Sequence, residues 1–211
     1  MYSPQSPRAD EFICHEEVMA SLAYADRNRN NRGLVQSILE KARHYEGLNH
    51  REALVLLDSA FGDCNRETLE LAASIKKDFY GNRIVLFAPL YLSNYCVNSC
   101  VYCPYHCQNK TISRKKLSQE DIRREVVALQ DMGHKRLALE AGEDPKNNPL
   151  DYILESIETI YSTKHKNGAI RRVNVNIAAT TSEDYTRLRD AGIGTYILFQ
   201  ETYHKESYEQ L

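Results

Sequence analysis

Ile84-Val-Leu-Phe-Ala-Pro-Leu-Tyr-Leu-Ser-Asn-Tyr-Cys-Val-Asn-Ser-Cys-Val-Tyr-Cys-Pro104 decides how the rest of the chain is read. Its first nine residues form a near-continuous apolar run, the signature of a strand buried on both faces. Three cysteines follow directly, spaced Cys96-x3-Cys100-x2-Cys103, so they occupy the loop at that strand's carboxyl end. Three thiolates on one short loop can wrap a face of a cuboidal [4Fe–4S] cluster and leave the fourth iron without a protein ligand, open to a substrate or cofactor. A structural zinc would need a fourth donor, which His106 or Cys107 offers, but such sites tend to come as paired CxxC knuckles. Thioredoxin-like use of Cys100-Val-Tyr-Cys103 leaves Cys96 unexplained.

Downstream of the cysteines, strand and helix signals alternate. Ser118, with Asp121 at the third position, caps a helix whose stripe is Ile122, Val126, Val127, Leu129 and Met132 and whose stop is Gly133. Arg136-Leu-Ala-Leu-Glu140 is the second strand, and a helix from Leu150 to Thr163 turns Ile153, Leu154, Ile157 and Ile160 inward. Val173-Asn-Val-Asn-Ile177 alternates as a third strand. Thr181 or Ser182 caps a helix ending at Gly192, and Thr195-Tyr-Ile-Leu-Phe-Gln200 is a fourth strand. Strand–helix units at about 30-residue spacing make a parallel sheet. A Rossmann arrangement wants GxGxxG after its first strand, and the chain has none. A barrel keeps its chemistry on loops at the carboxyl ends of strands, where these cysteines sit. The predicted fold class is therefore α/β, with residues 83–211 forming the first four βα units, the N-terminal half, of a TIM-type (β/α) barrel.

Upstream, residues 33–82 read as a helical extension. One helix carries Leu34, Val35, Ile38 and Leu39; a second, capped by Asn49 with Glu52, ends at Gly62; a third spans Arg66 to Tyr80. Residues 1–32 read as a polar, mostly irregular arm with a helix around Glu16 to Tyr24.

With 42% hydrophobic residues among 211, the chain has enough apolar side chains for a sizeable core, which excludes intrinsic disorder. A formal net charge of −2 lacks the basic footprint of a nucleic-acid-binding domain. No stretch approaches the roughly 18 apolar residues of a membrane span, and Met1 to Asp10 has no apolar core for a secretory signal. The expectation is a soluble cytoplasmic protein with a small-molecule or protein partner. Six cysteines without a signal peptide point to a metal or redox site rather than a disulfide framework. A full barrel takes about 250 residues, so the chain is expected to be truncated from a longer parent.

The CxxxCxxC loop, with Tyr102 just before its last cysteine, resembles the radical S-adenosylmethionine (SAM) superfamily. Pro89 to Cys96, Gly133-His-Lys-Arg-Leu-Ala-Leu-Glu-Ala-Gly-Glu-Asp-Pro145, Arg171-Arg-Val-Asn-Val-Asn-Ile177 and Gly194-Thr-Tyr-Ile-Leu-Phe-Gln-Glu-Thr-Tyr-His204 are similar to its aromatic-amino-acid lyase branch, over about residues 33 to 211. That branch includes tyrosine lyases of [FeFe]-hydrogenase maturation and 2-iminoacetate synthases of thiamine biosynthesis. The resemblance implies that Cys96, Cys100 and Cys103 ligate a [4Fe–4S] cluster, that SAM chelates its open iron, and that cluster reduction cleaves SAM to a 5′-deoxyadenosyl radical. It implies further that this radical removes a hydrogen from the amine of L-tyrosine, whose Cα–Cβ bond then breaks to give p-cresol and dehydroglycine. Carbon monoxide and cyanide formation would need a second cluster, whose cysteines would lie beyond Leu211.

By the same resemblance Ala141, Gly142 and Glu143 receive the SAM amino group, which suits a cation's need for carbonyl and carboxylate acceptors. Without the cysteine loop, Glu143 and Asp144 would read as caps of the next turn. Asn174 and Asn176 share one side of the third strand and suit polar contacts with SAM or substrate, or else a solvated face. Glu201 stands where the family's acid contacts the ribose or orients substrate. Expected partners are a ferredoxin- or flavodoxin-type electron donor and other hydrogenase maturases. The basic run Arg114-Lys-Lys116 with Arg123 and Arg124 is either a solvated face or a dock for that acidic donor. Cys14, Cys64, Cys107, His134 and His204 receive structural readings. The rival from another class is a non-catalytic iron–sulfur or zinc-binding module.

Overall fold

A computed structural model describes residues 14–198, 200–202 and 204–210, and the chain divides into two units, Met1–Ile84 and Val85–Leu211. In the first, local capping chemistry sets the helix starts. Asn31 accepts from the Leu34 N–H at 3.1 Å and opens α2 (Arg32–Arg43). Asn49 and Glu52 form a reciprocal capping box, at 2.9 and 2.8 Å, that opens α3 (His50–Leu57). They are preceded by α1 (His15–Asn28) and followed by α4 (Gly62–Tyr80). Gly62 thus begins a helix, where the sequence suggested that it ends one.

Ala25, Val35, Ile38, Leu39, Val55 and Cys64 make this unit's core. Helix α1 contributes the buried Ser21 and Ala25, and its Glu17 receives the Arg51 guanidinium at 2.8 Å and His50 at 3.0 Å. The polar stretch expected to be mostly irregular is therefore largely a packed helix from His15 onward; its first thirteen residues lie outside the described ones.

The second unit holds β1 (Ala88–Ser93), α5 (Gln119–Asp131), β2 (Arg136–Ala141), α6 (Leu150–Ser162), the short hairpin β3 (Lys164–His165) and β4 (Gly168–Ala169), β5 (Arg172–Asn176), α7 (Ser182–Asp190) and α8 (Lys205–Gln210). The main sheet is parallel in the order β1-β2-β5, with Leu90 opposite Leu139 opposite Val175. Period-two alternation splits it into unlike faces. Leu90, Leu92, Leu137, Leu139, Val173 and Val175 are buried against Ile122 and Val126 of α5, Ile153, Ile157 and Ile160 of α6, and Leu188 of α7. The other face carries Pro89, Tyr91, Ala138, Glu140, Arg172, Asn174 and Asn176.

Three expectations are corrected here. The first strand starts at Ala88, not Ile84, and Ile84 to Phe87 are 54–75% exposed. It is also buried on one face only, because Pro89 and Tyr91 alternate with Leu90 and Leu92. Where a fourth strand was expected, the described residues form one bridge, Val175 with Tyr196, and Phe199 lies outside them. The hairpin at 164–169 was not foreseen. Among the described residues no helix is long and apolar enough to cross a membrane.

Ile157 of α6 is fully buried in the core between that helix and the sheet. Ile157→Ala is expected to lower unfolding stability by about 2–5 kcal/mol in chemical denaturation, the range for deleting a buried aliphatic side chain.

Candidate functional site

The cysteine loop leaves the carboxyl end of β1 and is closed at its neck. The Asn94 N–H donates to Lys115 O at 3.1 Å, the Lys115 N–H donates to Asn94 Oδ1 at 2.6 Å, and the Leu117 N–H donates to Leu92 O at 2.8 Å. Within it, Arg114 donates to four carbonyls: Nη1 to Asn94 O (2.5 Å) and Tyr105 O (2.7 Å), Nη2 to His106 O (2.7 Å) and Asn109 O (3.2 Å). A rigid guanidinium fork suits this task. Arg114 is thus the loop's internal scaffold, which corrects its reading as part of an open basic face. Lys116 is also engaged, 3.8 Å above the Tyr152 ring, while Arg123 and Arg124 pair with Glu120 and Asp121 on their own helix.

Successive turns carry the thiols: the Cys103 N–H donates to Cys100 O and the His106 N–H to Cys103 O, each at 3.2 Å. Cys100 is exposed, while Cys96, Cys103 and Cys107 are half-buried, and all are free thiols. Among the described residues no three His, Cys, Asp or Glu side chains converge as the shell of a single ion.

The loop is fastened to the carboxyl end of β2, where Ala141, Gly142 and Glu143 sit. The Val97 N–H donates to Glu143 O at 2.8 Å, and Asn98 Nδ2 donates to Glu143 Oε2 at 2.6 Å. The Gly142 N–H donates to Ser93 O at 3.2 Å. Asn148 completes the clamp through Nδ2, donating to both Tyr95 O (3.0 Å) and Gly142 O (2.8 Å), and its Oδ1 is buried with no partner among the described residues. Asp144 takes the capping part, accepting from the backbone of Lys146 and Asn147 at 3.0 and 2.8 Å. The two acids that the sequence left as joint caps therefore separate: Asp144 holds the turn, and Glu143 faces the cysteine loop. Beside them a cavity of about 310 Å³ is lined by Ala141 to Pro145, Asn148 and the Ile177–Thr180 segment beyond β5. Position at strand carboxyl ends is where α/β folds place ligands.

Asn174 and Asn176 lie on the polar face, half-buried, with different partners. Asn174 Oδ1 accepts from Arg172 Nε at 3.2 Å, and Asn176 Nδ2 donates to Glu140 Oε2 at 2.7 Å. Tyr102 and Glu201, 99 residues apart, come together: the phenol donates to the Glu201 carboxylate. That hydrogen bond, then partial burial and the charges of Glu201, Cys100 and Cys103, push the Tyr102 phenol up to about 12. Sequence reading missed Arg114, Asn148 and Glu140. For Glu140 a signal existed: it is an acid directly after the apolar run Leu137 to Leu139, in phase with the two asparagines.

Residues 90–211 match the family model described as the radical SAM superfamily. The 2-iminoacetate synthase of Salmonella typhimurium is 30% identical over 178 residues, covering 84% of this chain and 45% of that protein. A crystal structure of HydG, a maturase of the [FeFe]-hydrogenase, matches at a TM-score of 0.89 and 54% identity, over 94% of this chain and 43% of that one. The structure of HydG from Carboxydothermus hydrogenoformans matches at 0.83 and 39% identity, over 98% and 47%. The chain spans about half the length of these relatives.

Proposed function

The chain belongs to the radical SAM superfamily, and from that premise we propose that it binds a [4Fe–4S] cluster and SAM and acts as a lyase that cleaves L-tyrosine to p-cresol and dehydroglycine for hydrogenase maturation. One juxtaposition carries this reading: three cysteines on one loop, tied by Val97, Asn98 and Asn148 to the backbone and carboxylate of Gly142 and Glu143. The residues present fit both groups. Thiolates that each bind a different iron need not converge as the ligands of one ion must. A ligand amino group needs acceptors, and the second Glu143 oxygen and Asn148 Oδ1, both without partners among the described residues, are acceptors at this strand end.

In this reading Cys96, Cys100 and Cys103 hold the cluster, and cluster and SAM when bound supply the radical that removes hydrogen from the substrate. The chain's own residues bind and orient. Ala141, Gly142 and Glu143 receive the SAM amino group, and Asn174 and Asn176 line the polar face. Tyr102 and Glu201 join the cysteine loop to the segment after Tyr196, where the acid is available to hydroxyl donors. The HydG likeness at 54% identity favours hydrogenase maturation over the thiamine-type role suggested by the 30% identical synthase. A ferredoxin- or flavodoxin-type donor is the proposed source of the electron.

Anaerobic reconstitution with iron and sulfide tests the reading. The expected result is a [4Fe–4S] spectrum that shifts with SAM, and p-cresol formed from tyrosine. Stoichiometric zinc with no SAM effect would overturn it in favour of a metal-binding module. Carbon monoxide and cyanide among the products would favour the maturation role over the thiamine-type one.

A further inference from the structure

One carboxylate of the site has no task in that reading. Glu140 of β2 stands in register between Tyr91 of β1 and Asn176 of β5, on the polar face near the carboxyl end of the sheet. Asn176 Nδ2 holds its Oε2 at 2.7 Å, while Oε1 has no partner among the described residues. Its neighbours divide the remaining acids differently: Glu143 accepts from Asn98, and Asp144 is occupied by the turn. No lysine, arginine or histidine pairs with Glu140 among the described residues. The titratable groups facing it are Tyr91 across the strand pair, Tyr105, whose ring meets Tyr91 edge-on at 6.4 Å, and beyond them Cys103 of the loop. Burial raises its carboxyl above the ordinary glutamate value, against the opposing pull of the Asn176 hydrogen bond. A carboxylate fixed by one oxygen and left without a counter-ion is built to accept a proton rather than to hold a permanent cation.

The proposed reaction needs such an acceptor. Hydrogen-atom removal at an amine nitrogen uses the neutral amine, whose lone pair stabilises the radical, yet an α-amino group, with a pKa of about 8 in a peptide and higher beside a free carboxylate, arrives at neutral pH as ammonium. Where ammonium and carboxylate meet away from water, proton transfer cancels both charges and removes the desolvation penalty of each.

We propose that Glu140 is the general base that takes one proton from the ammonium group of the amino-acid substrate. One N–H bond breaks with its electron pair staying on nitrogen, one O–H bond forms at Glu140 Oε1, and the neutral amine is left for hydrogen-atom removal. The assignment rests on the lyase reading above.

The test uses the cluster-reconstituted protein with SAM and tyrosine. Glu140→Gln keeps the shape and an oxygen for Asn176 but no basic site. It is expected to form p-cresol at least about 100-fold more slowly at neutral pH, the usual share of a general base, and to recover roughly tenfold per pH unit as free amine accumulates. Glu140→Asp is expected to keep more of the rate than Glu140→Gln. Without reduction, tyrosine binding to the wild type should produce a protonated-carboxyl band in the infrared difference spectrum that Glu140→Gln lacks. A Glu140→Gln deficit that is flat with pH, a near-normal rate, or no carboxyl band in the wild type would each overturn the assignment while wild-type p-cresol formation left the lyase reading standing. Absence of p-cresol from the wild type at every pH would overturn both.

Discussion

Cys100→Ala is expected to leave the protein folded and without its cluster. Cys100 is the most exposed of the three cysteines at 96, 100 and 103 and contributes nothing to either core, so far-ultraviolet circular dichroism and the unfolding midpoint should stay near the wild-type values. In the proposed reading its thiolate is nevertheless one of the three protein ligands of the cluster, each to a different iron. With one iron unheld the cluster loses a third of its attachment, and Cys107 lies outside the CxxxCxxC spacing proposed to hold it. The Cys107 N–H is tied to Asn98 O at 2.7 Å, and its carbonyl to Lys110 Nζ at 2.9 Å, which fixes its backbone independently of the cluster. Iron content after reconstitution, visible absorption and the SAM-induced spectral shift should all fall to background, and p-cresol formation should drop by about 10³-fold or more, as when a group that carries the chemistry is removed. Cys107→Ala is the matched control and should retain all four signals. Retention of cluster and SAM response by Cys100→Ala, or their loss in Cys107→Ala, would show that the wrong three cysteines were chosen.

The cysteine spacing was legible because it is a local pattern, contained in eight consecutive residues whose chemistry does not depend on what packs around them. The helix caps were legible for the same reason: Asn49 with Glu52, and Ser118 with Asp121, satisfy backbone donors within one turn, and both form capping boxes in the structure. Strand extent was not local. Ile84 to Leu92 reads as one apolar run, but proline and tyrosine have an apolar body that sits as readily on an open face as in a core, and only pairing with Leu137 to Ala141 reveals which residues lie in the sheet. Tyr196 pairs with Val175 through one bridge where composition promised a strand. The clamp residues were hidden more completely. Arg114 lies in a basic run that looks solvated, and only the folded loop brings the carbonyls of Asn94, Tyr105, His106 and Asn109 to one guanidinium. Nor does any spacing rule join Tyr102 to Glu201, or Asn148 to Tyr95.

Gly142→Ala is expected to be the most damaging single methyl in the second unit. Gly142 does not have a positive φ, so alanine could adopt its backbone conformation; the obstacle is space. A Cβ there would lie 2.4 Å from Tyr95 O, 2.8 Å from Cys96 Cβ and 3.1 Å from Tyr95 C. These are mainly backbone atoms on the first residues of the cysteine loop, not the tip of a flexible side chain, so relief requires the loop or the end of β2 to move. Either movement stretches the clamp in which Asn148 Nδ2 bridges Tyr95 O and Gly142 O, and the Gly142 N–H to Ser93 O bond beside it. Overpacking costs typically about 1–3 kcal/mol, and a strained pair of part-buried hydrogen bonds adds about 1 kcal/mol each. We therefore expect a loss of roughly 3–5 kcal/mol in denaturant unfolding. Because the displaced atoms join a proposed cluster ligand to the proposed SAM acceptors, affinity for SAM should fall at least about tenfold, equivalent to about 1.4 kcal/mol. Gly62→Ala provides the contrast. Gly62 stands at the start of α4, and a methyl group added there would have no neighbour within 4 Å, so alanine should be neutral or stabilising by up to about 1 kcal/mol. Wild-type stability and SAM affinity in Gly142→Ala would mean that the strand end and the cysteine loop move independently, and the juxtaposition on which the functional reading rests would then be incidental.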